Sequence, residues 1–435
     1  MTPAGSQLPP RFADARRTNR NPWLWVPSLY FAQGVPYVIV MTMSVVMYKR
    51  LGISNTDIAL YTSWLYLPWV IKPLWSPLAD ITRTKRLWVV AMQFLVTLGL
   101  ALAAFSVRGN AFFKWSLFFF WIMAFASATH DIAADGFYML ALSKHEQAWW
   151  VGLRSMFYRT AMIVGSGLLV VLAGMLETKT GNIPLAWSAT LAVVAALFLA
   201  FSCWHSVMLP RPAGDGPVLN SKGPVGEFFL TFGSFFRKPG VLMALAFFLF
   251  YRFDEAQLAK VISPFLLDSR KAGGLGLTTS QVGLAYGTFG ILALTCGGLL
   301  GGFLTAKHGL KRMLPIMVCS MYLPKLAFIF LSFAQPANFL LTCSAVAVEQ
   351  FGYGFGFTAF MLYMLYFADG PHKTAHYAIC TGFMALGMMI PGLWSGWLAD
   401  HIGYRHFFLW VIFSTLPGLT LAFLLKVDPE FGKKT

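Results

Sequence analysis

The sequence predicts an all-α membrane protein of twelve transmembrane helices in two six-helix bundles. Three observations lead there. Only 11% of the 435 residues are charged and 57% are hydrophobic, whereas a soluble domain uses about 25% charged residues to solvate its surface. Apolar runs long enough to cross a bilayer recur along the chain. They fall into two groups of six, separated by a stretch rich in Pro and Gly.

The composition excludes several functions. A net charge of +16 suits nucleic acid only when the basic residues share one solvated face. Here they sit in short bursts between apolar runs, the pattern of a topology signal, so no nucleic-acid partner is expected. The five cysteines (Cys203, Cys296, Cys319, Cys343, Cys380) lie inside apolar segments without a CxxC partner or a histidine at ligand spacing. Neither metal, cofactor nor disulfide is expected. Residues 1–21 are polar and Arg-rich without a short apolar core, so they do not read as a signal peptide.

A bilayer core about 30 Å thick needs roughly 20 apolar residues per helix. Runs of that kind lie near 23–48, 56–79, 87–107, 112–142, 150–176 and 184–208, then 240–267, 279–306, 313–334, 337–368, 374–399 and 406–426. The predicted organisation is therefore a tail at 1–21, a bundle at 22–208, a linker at 209–239, a second bundle at 240–426 and a tail at 427–435. Within the linker, Glu227 to Phe236 reads as a segment lying along the membrane surface. With the N-terminus inside, inner segments carry 19 Lys and Arg residues against 8 outside. That bias places both termini in the cytoplasm.

Charges inside the runs are the functional signal. An ionisable group at the bilayer centre costs at least about 2.5–3.5 kcal/mol, so it faces a cavity or a partner. The acids there are Asp131, Asp135, Asp254, Glu255 and Glu349; the bases are Lys72, Arg154, Arg159, Arg252, Lys260 and Lys325. Their near balance predicts pairing around one aqueous chamber. Asp131 and Asp135, four residues apart, share a helix face beside His130. Two readings stay open for them: one titrates near neutral pH, or both stay ionised against Arg154 and Arg159.

On an ideal helix, Arg252, Glu255 and Lys260 fall within an arc of about 140°, with Asp254 outside it. Glu255 is thus the expected cavity carboxylate and Arg252 its counter-ion, with Asp254 turned to a neighbouring helix. Lys72 either reaches the cavity or snorkels to the interface. Glu349 opens the glycine-rich stretch Gln350-Phe351-Gly352-Tyr353-Gly354-Phe355-Gly356, suited to close helix approach. Gly34-Val35-Pro36 and Pro391-Gly392 are candidate helix breaks. Gln33, Tyr37 and Trp64 are candidate substrate contacts, since aromatic faces stack on sugars, although interfacial anchoring explains many such rings.

Two loops occupy equivalent places in the halves. One reads Ser76-Pro77-Leu78-Ala79-Asp80 followed by Arg83, Lys85 and Arg86; the other reads Gly301-Gly302-Phe303-Leu304 followed by Gly309, Lys311 and Arg312. They resemble the loop signature of the major facilitator superfamily, in which a helix-end Asp and a basic cluster latch the cytoplasmic side. That resemblance implies a gate of Asp80, Arg83, Arg86, Lys311 and Arg312, although Thr305 stands where the second copy would have an acid.

Tyr30-Phe31-Ala32-Gln33-Gly34-Val35-Pro36, Lys72-Pro73-Leu74-Trp75-Ser76-Pro77-Leu78-Ala79-Asp80 and Ala128-Thr129-His130-Asp131-Ile132-Ala133-Ala134-Asp135 look like AmpG-type permeases. So does the run from Gly352 to Phe367 with Thr374-Ala375-His376-Tyr377-Ala378. The likeness spans nearly all twelve runs. It departs at His130, where the family often has Gln, and at Asp254-Glu255, where it has a single acid. It implies proton-driven, alternating-access import of a sugar- or peptide-containing molecule such as a muropeptide across a bacterial inner membrane, with an iron-siderophore as the alternative cargo. Asp131, Asp135, Glu255 and Glu349 would carry protons. Lys72, Arg154, Arg159, Arg252 and Lys325 would serve as counter-ions or cargo ligands, in a monomer surrounded by lipid. A membrane enzyme lacks the nucleophile–base spacing it would need, and a sensor lacks an output domain.

Overall fold

The computed structural model describes residues 20–212, 215–216, 232–370 and 373–433. Its first half holds six helices. α1 runs Val26–Val38, widens through a π-turn at Ile39–Met43, and continues as Ser44–Arg50. α2 is two pieces, Asn55–Trp64 and Leu67–Thr82. α3 (Lys85–Ser106), α4 (Phe112–Ala141) and α6 (Ile183–Met208) are unbroken. α5 runs Lys144–Ile163 and Leu169–Thr180 through a π-turn at Val164–Leu168.

The second half repeats the scheme. α7 is broken into Val241–Phe250 and Phe253–Leu267. α8 (Thr279–His308) contains a π-turn at Gly283–Gly290. α9 (Leu310–Ala334) contains a tight turn at Leu323–Lys325. α10 is Phe339–Ala368. α11 (373–402) and α12 (404–424) are parted at Gly403, whose φ of 73° no continuing helix tolerates.

Nine stretches among the described residues are long and apolar enough to cross a bilayer. Ala375–Leu424 is one of them although it turns at Gly403. α2 and α7 stand outside the nine because each is interrupted. The expected breaks at Gly34-Val35-Pro36 and Pro391-Gly392 do not form, since helix continues through both. A kinking proline is accommodated there, and the real interruptions fall at Leu65–Tyr66 and Tyr251–Arg252. Of the predicted surface segment, residues 232–236 form one helical turn and the rest lies outside the described residues.

Loop residues fix where helices begin. The side chains of Ser54, Thr84, Ser143, Asn182, Thr278 and Asn338 each accept a first-turn N–H, satisfying donors the helix leaves orphaned. Within the halves, α3 packs on α4 and α6, α1 on α5, α8 and α9 on α10, and α7 on α11. Across the halves α2 lies along α11, α5 against α8 and α1 against α7. The α5–α8 crossing is backbone against backbone: a Cβ on Gly287 would stand 1.8 Å from the Ser166 carbonyl oxygen.

Both described chain ends lie at one end of the molecule. Arg20 donates to the Val207 carbonyl at the close of α6, and Lys433 packs on Gly309 ahead of α9. At the opposite end, polar contacts lock the halves together. Lys49 pairs with Asp268 at 2.8 Å. Asp400 accepts from the Asn55 amide (2.7 Å), the Thr56 N–H (2.9 Å) and the Thr56 hydroxyl (2.8 Å). Thr279 donates to Glu177 at 2.7 Å, and Arg50 braces that carboxylate at 3.0 Å. Among the described residues, every hydrogen bond or ion pair joining the halves lies between mid-depth and this far end. Among the described residues no such bond closes the end that bears the termini, where the cleft between the halves lies.

Candidate functional site

Two charged clusters occupy the middle of the molecule, and they differ in their access to water. The first lines the cleft wall formed by α1, α2, α4 and α5. Asp131 accepts from the Trp69 indole N–H at 3.1 Å and stands 3.9 Å from the Lys72 ammonium. Gln33 approaches the same carboxylate. Lys72 therefore turns inward rather than snorkelling. One helical turn along α4, Asp135 accepts from Arg154 (3.3 Å) and the Tyr30 hydroxyl (3.2 Å), and Arg154 also donates to that hydroxyl at 3.0 Å. The Arg154 guanidinium covers the Tyr30 and Tyr138 rings. Asp135 is 50% exposed against 15% for Asp131, so the pair becomes wetter toward the open end.

The two carboxylates share a face of α4, as their spacing predicts, but they take separate partners. Arg159 takes neither of them. It projects from α5 across the cleft to α8, where its Nη2 would lie 3.3 Å from a Cβ on Gly298. His130 faces away from the cleft. It joins Gln93 at 3.0 Å, which joins His205 at 2.9 Å, which joins Ser28 at 2.9 Å. This chain ties α4, α3, α6 and α1 together inside their bundle.

The second cluster is dry. Lys325, in the tight turn of α9, pairs with Asp254 and, at 3.1 Å, with Glu255. All three are buried. Glu349 on α10 is wholly buried nearby, with one oxygen accepting from the Gln350 amide at 2.8 Å. Its other oxygen, and Oδ1 of Asp254, have no hydrogen-bond donor. The glycines after Glu349 bring α10 close to α9, which carries Lys325, since a Cβ on Gly352 would stand 2.0 Å from the Ser320 carbonyl oxygen.

This arrangement corrects two expectations. Asp254 turns to the neighbouring helix α9, as expected, but Glu255 joins it there on Lys325 instead of pairing with Arg252. The reason is the break at Tyr251–Arg252: a straight-helix projection through it gives the wrong relative angle. Arg252 makes no ion pair with Glu255 but stays within its electrostatic reach, donates to the Tyr353 hydroxyl and stacks over the Tyr353 and Phe357 rings. The single shared aqueous chamber is also replaced by a wet cluster in one half and a dry cluster in the other.

The residues of the expected gate lie at the end of the molecule that bears the termini. Asp80's side chain lies outside the described residues. Arg83 is exposed. Arg86 turns back on its own half, donating to the Ser206 and Leu209 carbonyls at the end of α6. Asp215 of the linker accepts the Lys85 (2.5 Å) and Arg86 (3.0 Å) backbone N–H groups and so caps α3. Lys311 and Arg312 are exposed beside Lys307, Pro429 and Lys433 of the C-terminal tail. Among candidate cargo contacts, Tyr37 meets Trp69 edge-to-face at 5.4 Å, while Trp64 is 41% exposed and joins no ring cluster among the described residues.

A family model described as the BT1 family matches residues 33–344. The chain belongs to the BT1 family. A Major Facilitator Superfamily model also matches residues 256–435, so the BT1 assignment and the twelve predicted runs agree on a multi-pass membrane transporter. The BT1 chain is 25% identical over 412 residues to putative transporter AmpG 4 of Rickettsia conorii, covering 92% of this chain and 95% of that one. It is 25% identical over 413 residues to the anhydromuropeptide permease of Escherichia coli K12, covering 93% and 80%. Among solved structures it resembles a D-xylose–proton symporter in fold, with a TM-score of 0.71 at 12% identity over 95% of this chain and 98% of that one. The AmpG-type resemblance read from the first, second and fourth runs therefore holds along the BT1 chain.

The sequence reading missed the residues that close the far end. Asp400 sits in Trp397-Leu398-Ala399-Asp400, followed by Gly403 and Arg405, which echoes Pro77-Leu78-Ala79-Asp80 and Arg83. That repeat was the available signal in this BT1 sequence. Lys49, Asp268 and Glu177 carried no such mark.

Proposed function

We propose that this chain is a proton-coupled secondary carrier importing a sugar- or peptide-containing molecule of the muropeptide type across the bacterial inner membrane by alternating access. The cargo class follows the name of the Escherichia coli relative. The observation that carries the mechanism is the asymmetry of the halves: latched at one end by Lys49–Asp268 and Asp400–Thr56, and open at the other onto Asp131, Asp135 and Arg154. Both termini lie in the cytoplasm in this reading, so the open cleft is the cargo-releasing state. The carrier acts as a monomer.

The dry cluster supplies the coupling. Three carboxylates surround one ammonium, and unsatisfied oxygens on Asp254 and Glu349 stand ready to receive a proton. Adding one removes surplus negative charge from a buried site. Because the cluster joins α7, α9 and α10, a change in its charge alters how those helices pack and biases one end of the carrier against the other. Tyr37, Trp69 and Gln33 on the wet wall offer ring faces and an amide to a sugar.

The test is uptake of a radiolabelled anhydro-muropeptide into proteoliposomes with and without an imposed pH gradient, acid outside. Faster uptake with the gradient is expected. Equal uptake in both would reduce the protein to a facilitator, and uptake of a ferric siderophore in place of the muropeptide would change the cargo.

A further inference from the structure

Basic side chains from three elements line one hollow at the end of the molecule that bears the termini. Lys307 and His308 close α8, Lys311 and Arg312 open α9, and Lys433 belongs to the C-terminal tail; with Pro429 they enclose about 590 Å³. The tail is fastened in place. The Phe431 carbonyl accepts the Leu310 N–H at 2.9 Å, and the Phe431 ring meets Tyr366 at 4.9 Å. Gly309 lets the tail approach, since a Cβ there would stand 2.8 Å from the Pro429 carbonyl oxygen. Of the tail's acids, Asp428 accepts the Glu430 N–H at 2.9 Å and Glu430 takes Lys433 at 2.5 Å. Lys307, Lys311 and Arg312 are left without an ion-pair partner among the described residues.

One turn along α9 the same face becomes apolar. On a helix Arg312, Ile316, Cys319 and Leu323 fall within an arc of about 60°. The last three line a second hollow of about 590 Å³, walled on the α10 side by Val348, Phe351 and Gly352. Ile316, Leu323 and Val348 are each more than half exposed, so this groove faces lipid. From Arg312 to Leu323 the helix rises roughly 16 Å, about half of a hydrocarbon core about 30 Å thick. The groove is one leaflet deep. Its inner end is Pro324, in the turn that carries Lys325.

The geometry points to a bound anionic phospholipid, its phosphate in the basic hollow and one acyl chain in the groove between α9 and α10. A phosphate diester accepts from the guanidinium fork of Arg312 and from the two lysine ammoniums. Basic pockets at the cytoplasmic ends of membrane helices suit such headgroups. A zwitterionic headgroup would bring its own cation against Lys307 and Lys311, and a soluble anion would leave the groove unused. In the orientation proposed above the lipid comes from the cytoplasmic leaflet, and its chain rests on the turn that positions Lys325.

The test is native mass spectrometry of the delipidated full-length protein titrated with dioleoylphosphatidylglycerol, dioleoylphosphatidylcholine or glycerol 1-phosphate. Phosphatidylglycerol is expected to be retained at least about tenfold more tightly than phosphatidylcholine. The double change Lys311→Gln, Arg312→Gln should erase that preference without changing the melting temperature, because both side chains are exposed. Arg108→Gln with Lys114→Gln removes the same charge at the far end and should leave the preference intact. Equal retention of the two lipids overturns the site, as does a preference that survives the Lys311, Arg312 change or falls equally in the Arg108, Lys114 control. Glycerol 1-phosphate binding as tightly as phosphatidylglycerol overturns the lipid occupant and leaves a soluble-anion site. Cargo and proton coupling are read separately, by the uptake assay above.

Discussion

Asp400 of α11 caps α2 from the other half of the molecule, accepting both the backbone N–H and the hydroxyl of Thr56. A carboxylate at a helix N-terminus satisfies orphaned donors and meets the positive end of the helix dipole. Here the cap is supplied across the bundle interface, so it exists only while the far end is shut. Tyr404 extends it, donating to Asp268 at 2.5 Å and accepting from Asn55 at 3.0 Å.

Asp400→Ala should remove this cap at a cost of about 0.5–2 kcal/mol, the range for an ordinary N-cap. Because only the latched state is affected, the population should move toward far-end opening. Electron–electron distance measurements between spin labels at Lys179 and Lys271 should show a longer component growing in the variant. An unchanged distribution would mean the latch contributes nothing to the balance of states.

Lys325→Ala should strip the counter-ion from Asp254 and Glu255 in a site that water does not reach. Breaking a buried pair this way costs roughly 3–5 kcal/mol. A clear drop in melting temperature in detergent is expected. The quadruple change Lys325→Met, Asp254→Asn, Glu255→Gln, Glu349→Gln should recover most of it, because no charge is left unpaired in the cluster, while still abolishing coupled uptake.

Glu349→Gln should keep the fold and lose the response to a pH gradient. The amide replaces a carboxyl of the same shape whose free oxygen has no donor to lose. Uptake rates with and without the gradient should become equal in proteoliposomes. If the gradient still accelerates the variant, Glu349 is not a proton site and the role passes to Asp254 or Glu255.

Gly287→Ala should block the α5–α8 crossing, since the new methyl would meet the Ser166 carbonyl at 1.8 Å. Transport should fall at least tenfold, and far-end accessibility to a membrane-impermeant thiol reagent on an introduced cysteine should rise. Gly302→Ala, which meets nothing within 4 Å, is the matched control and should transport normally.

Much of the architecture was legible because the bilayer writes it directly: roughly 20 apolar residues per crossing and charges only where a partner or water receives them. Asp131, Asp135, Arg154 and Lys325 were found on that ground, and the structure gives each a partner. The failures trace to helix continuity. A projection carried through Tyr251–Arg252 assigned Arg252 to Glu255 because nothing in local composition marks a break without Gly or Pro. Conversely, Gly34-Val35-Pro36 advertises a break that the packing of Gly34 against Ala161 and Tyr158 removes. Far-end residues such as Lys49 and Asp268 read as ordinary loop charges, since their pairing joins positions distant in the chain.

The Lys325 cluster is enclosed within one half, and the Asp131–Arg154 wall belongs to the other. Under the coupling proposed above, a carrier divided in this way can change what it carries without retuning what drives it. Substitutions along α1, α2 and α4 reshape the surface the cargo meets, while the buried acids keep their single cation and their spare proton acceptors. Relatives with different diets can thus inherit one engine, and a chimera that exchanges the first half alone is the natural way to retarget it.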